Sequence, residues 1–214
     1  MTAIARQLLA RHGVLTREAV AGEHLPGGFA SIYPALKAMD DAGQVRRGYF
    51  VSGLGATQFA LPGALDLLRS RREPDPDVAE VTTLAATDPA NPYGTTLPWP
   101  MTGATRVVGA TVVLVDGELA AYLARGRREL RVHWSDEEPR RSRVGRALAS
   151  ALIEIAARGP EDRTGMAIVT INDEPSPQHA LADWLTEVGF VRAGGLLHLP
   201  RGGRRQWAES AKHA

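Results

Sequence analysis

Residues 46–64, RRGYFVSGLGATQFALPGA, decide the fold. Two arginines sit in an extended, aromatic-rich piece, QVRRGYFV; glycines bend the chain at SGLG, and a second extended piece, TQFALP, follows. Two such runs around a glycine-punctuated bend read as a β-hairpin. Strand alternation sets Arg46, Gly48 and Phe50 on one side and Arg47, Tyr49 and Val51 on the other, so at least one arginine points outward.

What precedes the hairpin gives it a place. In TAIARQLLARHG, Ile4, Leu8 and Leu9 recur at helical spacing, with Gly13 where a C-terminal cap belongs. Thr16 can cap a second short helix, TREAVAGEH, whose Glu18 favours the helix dipole. LPGG then breaks the chain. Ser31 opens a third helix, SIYPALKAMDDAG, in which Ile32, Leu36 and Met39 share a face, Pro34 falls in the first turn and Gly43 ends the run. Helix, helix, helix and hairpin is the order of a winged helix-turn-helix, and the hairpin is its wing. The outward positions of the third helix are Tyr33, Lys37, Asp40 and Asp41. Paired aspartates repel phosphate, so base reading by this helix is not expected. The candidate nucleic-acid contacts here are Lys37, Arg46, Arg47 and Tyr49; the plainer reading is an ordinary solvated face.

Composition bounds the rest. With 214 residues and 44% hydrophobic content the chain can bury two cores. The prolines and alternating acids of RREPDPDVAEV mark a boundary. The expected organisation is a winged-helix domain at 1–72, a linker at 73–80, a β-rich α+β domain at 81–203 and a flexible basic tail at 204–214. The sequence holds no cysteine, which excludes disulfides, thiolate metal sites and cysteine nucleophiles. A net charge of +1 argues against a wholesale polyanion binder and leaves local patches. The longest apolar runs, VVLV and AIVTI, fall well short of the roughly 20 residues of a spanning helix. The N-terminus lacks the pattern of a secretory signal, and a cytoplasmic location is expected.

The second half begins with a long shaped loop, VTTLAATDPANPYGTTLPWPMTG, carrying Asp88, Asn91, Tyr93 and Trp99. Tyr93 or Trp99 can stack on an unpaired base, and Asp88 can orient a water or stabilise a cationic sugar in base excision. The alternative is structural: Trp99 plugs a core, and Asp88 closes a turn. Then TRVVGATVVLV, the Asp116-Gly117 turn, ELAAYLA, the Arg125-Gly126 turn and RRELRVHW read as an antiparallel meander or barrel segment. A long amphipathic helix follows, stopped by Gly159-Pro160, whose first turns hold Arg140, Arg141, Arg143 and Arg146. Those positions suit an anion lying over the N-terminal amides. The strand MAIVTI, the helix SPQHALADWLTEVG and the strands FVRA and LLHLP complete an α+β domain with two packed helices. No GxxxxGK[ST], HExxH or GxSxG occurs, and the histidines lack ligand spacing, so no metal or cofactor is expected in this chain.

RRGYFVSGLGATQFALPGALDLLR followed by LAATDPANPYGTTLPWP resembles the C-terminal region of the Lhr family of large helicase-related proteins, and the resemblance runs through nearly the whole chain. Members of that family join a superfamily 2 motor to further winged-helix modules and a β-rich domain. They are ATP-dependent, move on single-stranded DNA, unwind RNA:DNA hybrids and are associated with DNA repair. The resemblance implies a terminal module that contacts single-stranded DNA or an RNA:DNA hybrid and serves a helicase motor in cis or in trans; ATP and Mg belong to that motor. The same extension resembles winged-helix DNA glycosylases with a Gln-x-Gln motif, whereas Gln7, Gln44, Gln58, Gln178 and Gln206 stand isolated here. For base excision the candidate is therefore Asp88. An oligomerisation module of the helicase, self-associating through apolar faces, is a competing reading. A third, an acyltransferase, rests on SRVGRALA, which resembles the acetyl-CoA-binding turn of that fold, with Ser142 in place of Gln or Arg.

Overall fold

Ala5, Leu8 and Leu9 form the buried stripe of α1 (Thr2–His12), and Gly13, at φ 68°, turns the chain out of it. The stripe is rotated from the expected one: Ile4 is 37% exposed and the smaller Ala5 takes the inside position. β1 (Val14–Leu15) leads to α2 (Arg17–Gly22), where the Thr16 hydroxyl accepts the Ala19 amide at 3.2 Å, as its sequence position suggests. At the far ends of these helices, Arg11 and His12 both reach Glu23, at 2.7 and 2.8 Å, and the His12 contact above all holds the Glu23 carboxyl below its ordinary range.

α3 (Gly28–Asp41) begins three residues before Ser31, because Gly27 and Gly28 take the left-handed φ values of 77° and 55° that let the chain turn in early. Pro34 therefore lies inside the helix, where it forgoes an amide bond, and not in the first turn. Ile32, Leu36 and Met39 are buried as the periodicity requires. Tyr33, expected to face outward, leans with Phe29 on the fully buried Phe59 at ring separations of 6.1 and 6.4 Å. β2 (Arg46–Gly48) and β3 (Gln58–Ala60) close the wing in a three-stranded sheet of order β1-β3-β2. α4 (Pro62–Ser70) follows, an element beyond the expected three helices and hairpin, with Pro62 in its first position.

The structure is a computed structural model that describes residues 1–70, 78–159 and 165–201. The chain divides into two units, Met1–Glu73 with Pro92–Pro98, and Pro74–Asn91 with Trp99–Ala214. Most of the expected linker, the tail at 204–214 and the Pro160 stop lie outside the described residues.

In the second unit β4 (Val81–Ala85), β5 (Thr111–Val115), β6 (Glu118–Leu123) and β7 (Glu129–Val132) pair antiparallel in succession. Asp116 and Gly117 turn β5 into β6 with φ of 51° and 81°, the left-handed pair of a tight hairpin. α5 (Arg140–Arg158) lays ten buried residues, from Val144 to Ala156, into the core of this unit.

The expected strand MAIVTI divides at Val169. β8 (Met166–Ile168) pairs with the last strand, while β9 (Thr170–Ile171) runs parallel to β7 and then pairs with β10 (Glu174–Pro175). The Val169 amide bonds instead to the Arg128 carbonyl at 2.7 Å. Asn172 prolongs the β7 edge by accepting the Val132 amide at 2.8 Å and donating to its carbonyl at 3.0 Å. α6 (Leu181–Glu187) packs on α5, and the hairpin β11 (Val191–Ala193) and β12 (Leu196–Leu199) completes a second, three-stranded sheet. The larger sheet, ordered β10-β9-β7-β6-β5-β4, is open at β10 and β4, so the barrel expected as one form of the meander does not close.

Candidate nucleic-acid interface

The wing is built around one buried amide. Gln58, fully buried on β3, accepts the Phe50 and Val51 amides at 2.9 Å each and donates to the Val51 and Gly55 carbonyls at 2.9 and 3.0 Å. All four hydrogen-bonding positions of the side chain are used, so it substitutes for the ladder rungs that the loop at 49–57 lacks. Phe50 folds back over Gly48, where a Cβ would stand 2.8 Å from the ring. At the other end of β2, the Arg47 amide donates to Asp40 at 3.2 Å, so one of the α3 aspartates pins the wing strand.

On this frame β2 is the sheet edge, and both Arg46 and Arg47 are exposed. Neither guanidinium enters an ion pair or hydrogen bond with a described residue. A groove of about 410 Å³ is lined by both arginines together with Phe50, Leu65, Asp66 and Arg69. Arg69 and Asp66 meet at 3.2 Å, but with both side chains about three-quarters exposed the pair holds Arg69 only weakly. No motif singles out Arg69, which stands in the last turn of α4. Tyr49 is 60% exposed at the wing tip, its hydroxyl accepting the Gly53 amide. Lys37 is exposed on α3.

The proline-rich loop is locally closed. The Pro92 carbonyl accepts the Leu97 amide at 2.9 Å, the Gly94 amide returns to Leu97 at 2.7 Å, and half-buried Tyr93 lies within this knot. Asp88 accepts the Ala90 amide at 2.8 Å through its carboxylate, closing a turn. Arg106, which no sequence pattern marks, ties the same turn by donating to the Asn91 and Asp88 carbonyls at 2.8 and 3.0 Å. Trp99 stands edge-on to the buried Tyr122, with ring centroids 5.6 Å apart, so it packs as part of its unit.

The four arginines heading α5 do not present a common anion site. Arg143 makes a two-pronged bond to Asp116 at 2.8 and 3.2 Å and donates to the Val78 carbonyl. Arg140 pairs with Glu118, and Arg141 lies over the Trp134 ring at 5.7 Å. Arg146 is exposed and, among the described residues, forms no ion pair. The helix start itself is occupied, because the Glu138 carboxylate accepts the Ser142 amide at 3.1 Å. Trp184 covers Gly145, where a Cβ would lie 2.7 Å from the indole, so the acetyl-CoA-type cradle is filled by protein groups.

A helical head, a short sheet and a basic wing edge define a winged-helix module, followed in the same chain by an α+β unit. Residues 1–80 match the family model described as large helicase-related protein, winged-helix domain. The chain is 46% identical over 162 residues to a Mycolicibacterium smegmatis protein named "Lhr helicase/ probable uracil glycosylase", covering 72% of this chain and 10% of that protein. It is 38% identical over 196 residues to the Escherichia coli "Lhr helicase/uracil glycosylase", covering 89% of this chain and 12% of that protein. The chain belongs to the Lhr family and corresponds to the C-terminal region of such helicases. It spans about a tenth of the length of these curated relatives. Among the described residues, no helix is long and apolar enough to cross a membrane.

Proposed function

We propose that this chain is the nucleic-acid-binding C-terminal module of an Lhr-type ATP-dependent helicase acting in DNA repair, and that its wing grips the backbone of single-stranded DNA or of an RNA:DNA hybrid. The observation that carries the reading is the pair Arg46 and Arg47, exposed on a sheet edge, with neither guanidinium in an ion pair with a described residue. Phosphates condense counterions, and each one neutralised by an arginine releases them, which makes binding steeply salt-dependent. The chain supplies grip and register, while motion and ATP hydrolysis come from a motor domain in cis or in trans.

Arg46→Ala with Arg47→Ala is expected to weaken binding of an oligo-dT strand roughly tenfold at low salt, and to lower the salt slope by about 0.7 for each phosphate that the arginines no longer neutralise. Fluorescence anisotropy across a salt series reads both quantities. Unchanged affinity and slope in the double variant would remove the wing from the interface.

A second reading is favoured by the relatives' own names, which join helicase to uracil glycosylase. In that reading the chain excises a base, with Asp88 activating water or stabilising the sugar cation. Asp88→Asn keeps an oxygen for the Ala90 amide and so preserves the turn. If Asp88 carries the chemistry, this variant loses uracil release from single-stranded DNA; equal release by both proteins sinks the assignment.

A further inference from the structure

Among the described residues, an open cationic surface of the C-terminal unit lies at the end of the sheet opposite the head of α5. β6 and β7 are joined through ARGRR, which sets Arg125, Arg127 and Arg128 together in one tight turn. The six residues of β6 separate this turn from the Asp116 hairpin by about 20 Å. At the hairpin end, Asp116 and Glu118 neutralise Arg143 and Arg140. At the turn end, Arg125 and Arg128 are exposed and their side chains meet no carboxylate among the described residues. The neighbouring acid, Glu129, forms no ion pair with a described residue, and Arg131 is paired with Asp173.

The turn is also shaped. Gly126 and Arg127 take φ of 89° and 56°, and the second is a costly conformation for a side chain that is neither Asn nor Asp. Arg127 is fixed by donating to the Ile155 carbonyl near the end of α5 at 3.3 Å. Beside it a pocket of about 320 Å³ is lined by Arg127, Arg128, Gly165 and His198. Gly165, at φ 80°, is required there: a Cβ would stand 2.6 Å from the Leu199 carbonyl and 2.9 Å from the His198 ring nitrogen. Arg128 and the His198 ring thus line one concave surface with the fixed Arg127, and Arg125 stands on the same turn outside the pocket.

We infer that this turn and its pocket form a second contact for backbone phosphates of a single strand, with Arg125 and Arg128 as the leading groups. The inference rests on the nucleic-acid reading of the chain and adds a site in the C-terminal unit. Spaced phosphates match the ligand requirement, because the arginines line an open turn and not a closed cage.

The test is oligo-dT binding by the full chain carrying Arg125→Ala and Arg128→Ala. Both side chains are exposed and form no ion pair with a described residue, so the fold is expected to survive, and an unchanged tryptophan-fluorescence unfolding midpoint verifies that. The expected result is a loss of affinity of at least about threefold, with a salt slope lower by about 1. Arg128→Glu weakens binding further. Unchanged affinity and slope, alongside a clear loss in the Arg46→Ala, Arg47→Ala protein, overturns this site alone. Failure of the unaltered chain to bind at low salt overturns both readings. Binding of a poly-glutamate peptide that depends on these arginines, with oligo-dT binding unaffected, also overturns this one.

Discussion

Arg143→Met is expected to destabilise the C-terminal unit by about 1 to 3 kcal/mol, because it leaves a partly buried carboxylate without its main cation. The Arg143 and Asp116 side chains are only 22% and 17% exposed, and the pair closes on itself at 2.8 Å. Asp116 also accepts the Glu80 amide at 2.9 Å, so one carboxylate joins the chain before β4, the β5–β6 hairpin and the head of α5. Loss of the arginine strands that carboxylate among groups that cannot leave it. Asp116→Asn costs less, since an amide oxygen still serves Glu80 and Asn tolerates the left-handed turn. In the double variant part of the loss is recovered, and the cycle yields a coupling energy of at least about 1 kcal/mol. Every tryptophan of the sequence falls in this unit, so intrinsic fluorescence during denaturant unfolding follows it specifically. Independent, additive effects of the two substitutions would contradict the coupling.

The same pair fixes an acid limb. The Arg143 bond, aided by the Glu80 amide and opposed by burial, holds the Asp116 carboxyl below its ordinary value of 3.8. A carboxylate depressed in this way stabilises the folded state fully above about pH 3.8, and the contribution disappears as pH falls through the folded value. The stability gap between the native chain and Asp116→Asn should therefore be constant near neutrality and shrink below about pH 3.8.

Gln58→Leu is expected to cost the winged-helix unit about 2 to 4 kcal/mol, because it strands two amides and two carbonyls that no other described group serves. The leucine matches glutamine in bulk, so the loss is of hydrogen bonds and not of volume. Amide hydrogen exchange reads the effect directly: Phe50 and Val51 become fast-exchanging in the variant. Oligo-dT affinity falls with them even though Arg46 and Arg47 remain, since a melted loop no longer holds the strand that carries them. Protected Phe50 and Val51 amides in Gln58→Leu would show that the ladder alone organises the wing.

Local rules in the sequence reach some elements and not others. The Thr16 cap, the Ile32, Leu36 and Met39 stripe and the Asp116-Gly117 turn depend on residues a few positions apart, and each stands where its spacing puts it. The rotation of α1 from Ile4 to Ala5, and the early start of α3, turn on which face the neighbouring helices occupy. MAIVTI reads as one strand by its β-branched pattern, yet its halves serve two sheets, a division set by partners 29 to 41 residues away. Tyr33 and Trp99 show the same limit: an outward place for the first and base stacking for the second both fit the sequence, but Phe59 and Tyr122 claim these rings.

The order of three helices and a hairpin, and with it the winged helix at the front of this chain, was determined by the sequence alone, because periodicity, caps and turns are written in neighbouring residues. Which arginines remain open to a ligand was decided only by the tertiary structure. Asp116 and Glu118 lie 27 and 22 residues from the arginines they neutralise, and only the hairpin register carries them to the head of α5. The guanidiniums of Arg46, Arg47, Arg125 and Arg128 form no ion pair with a described residue, and charge in this protein is free or spent according to that long-range placement.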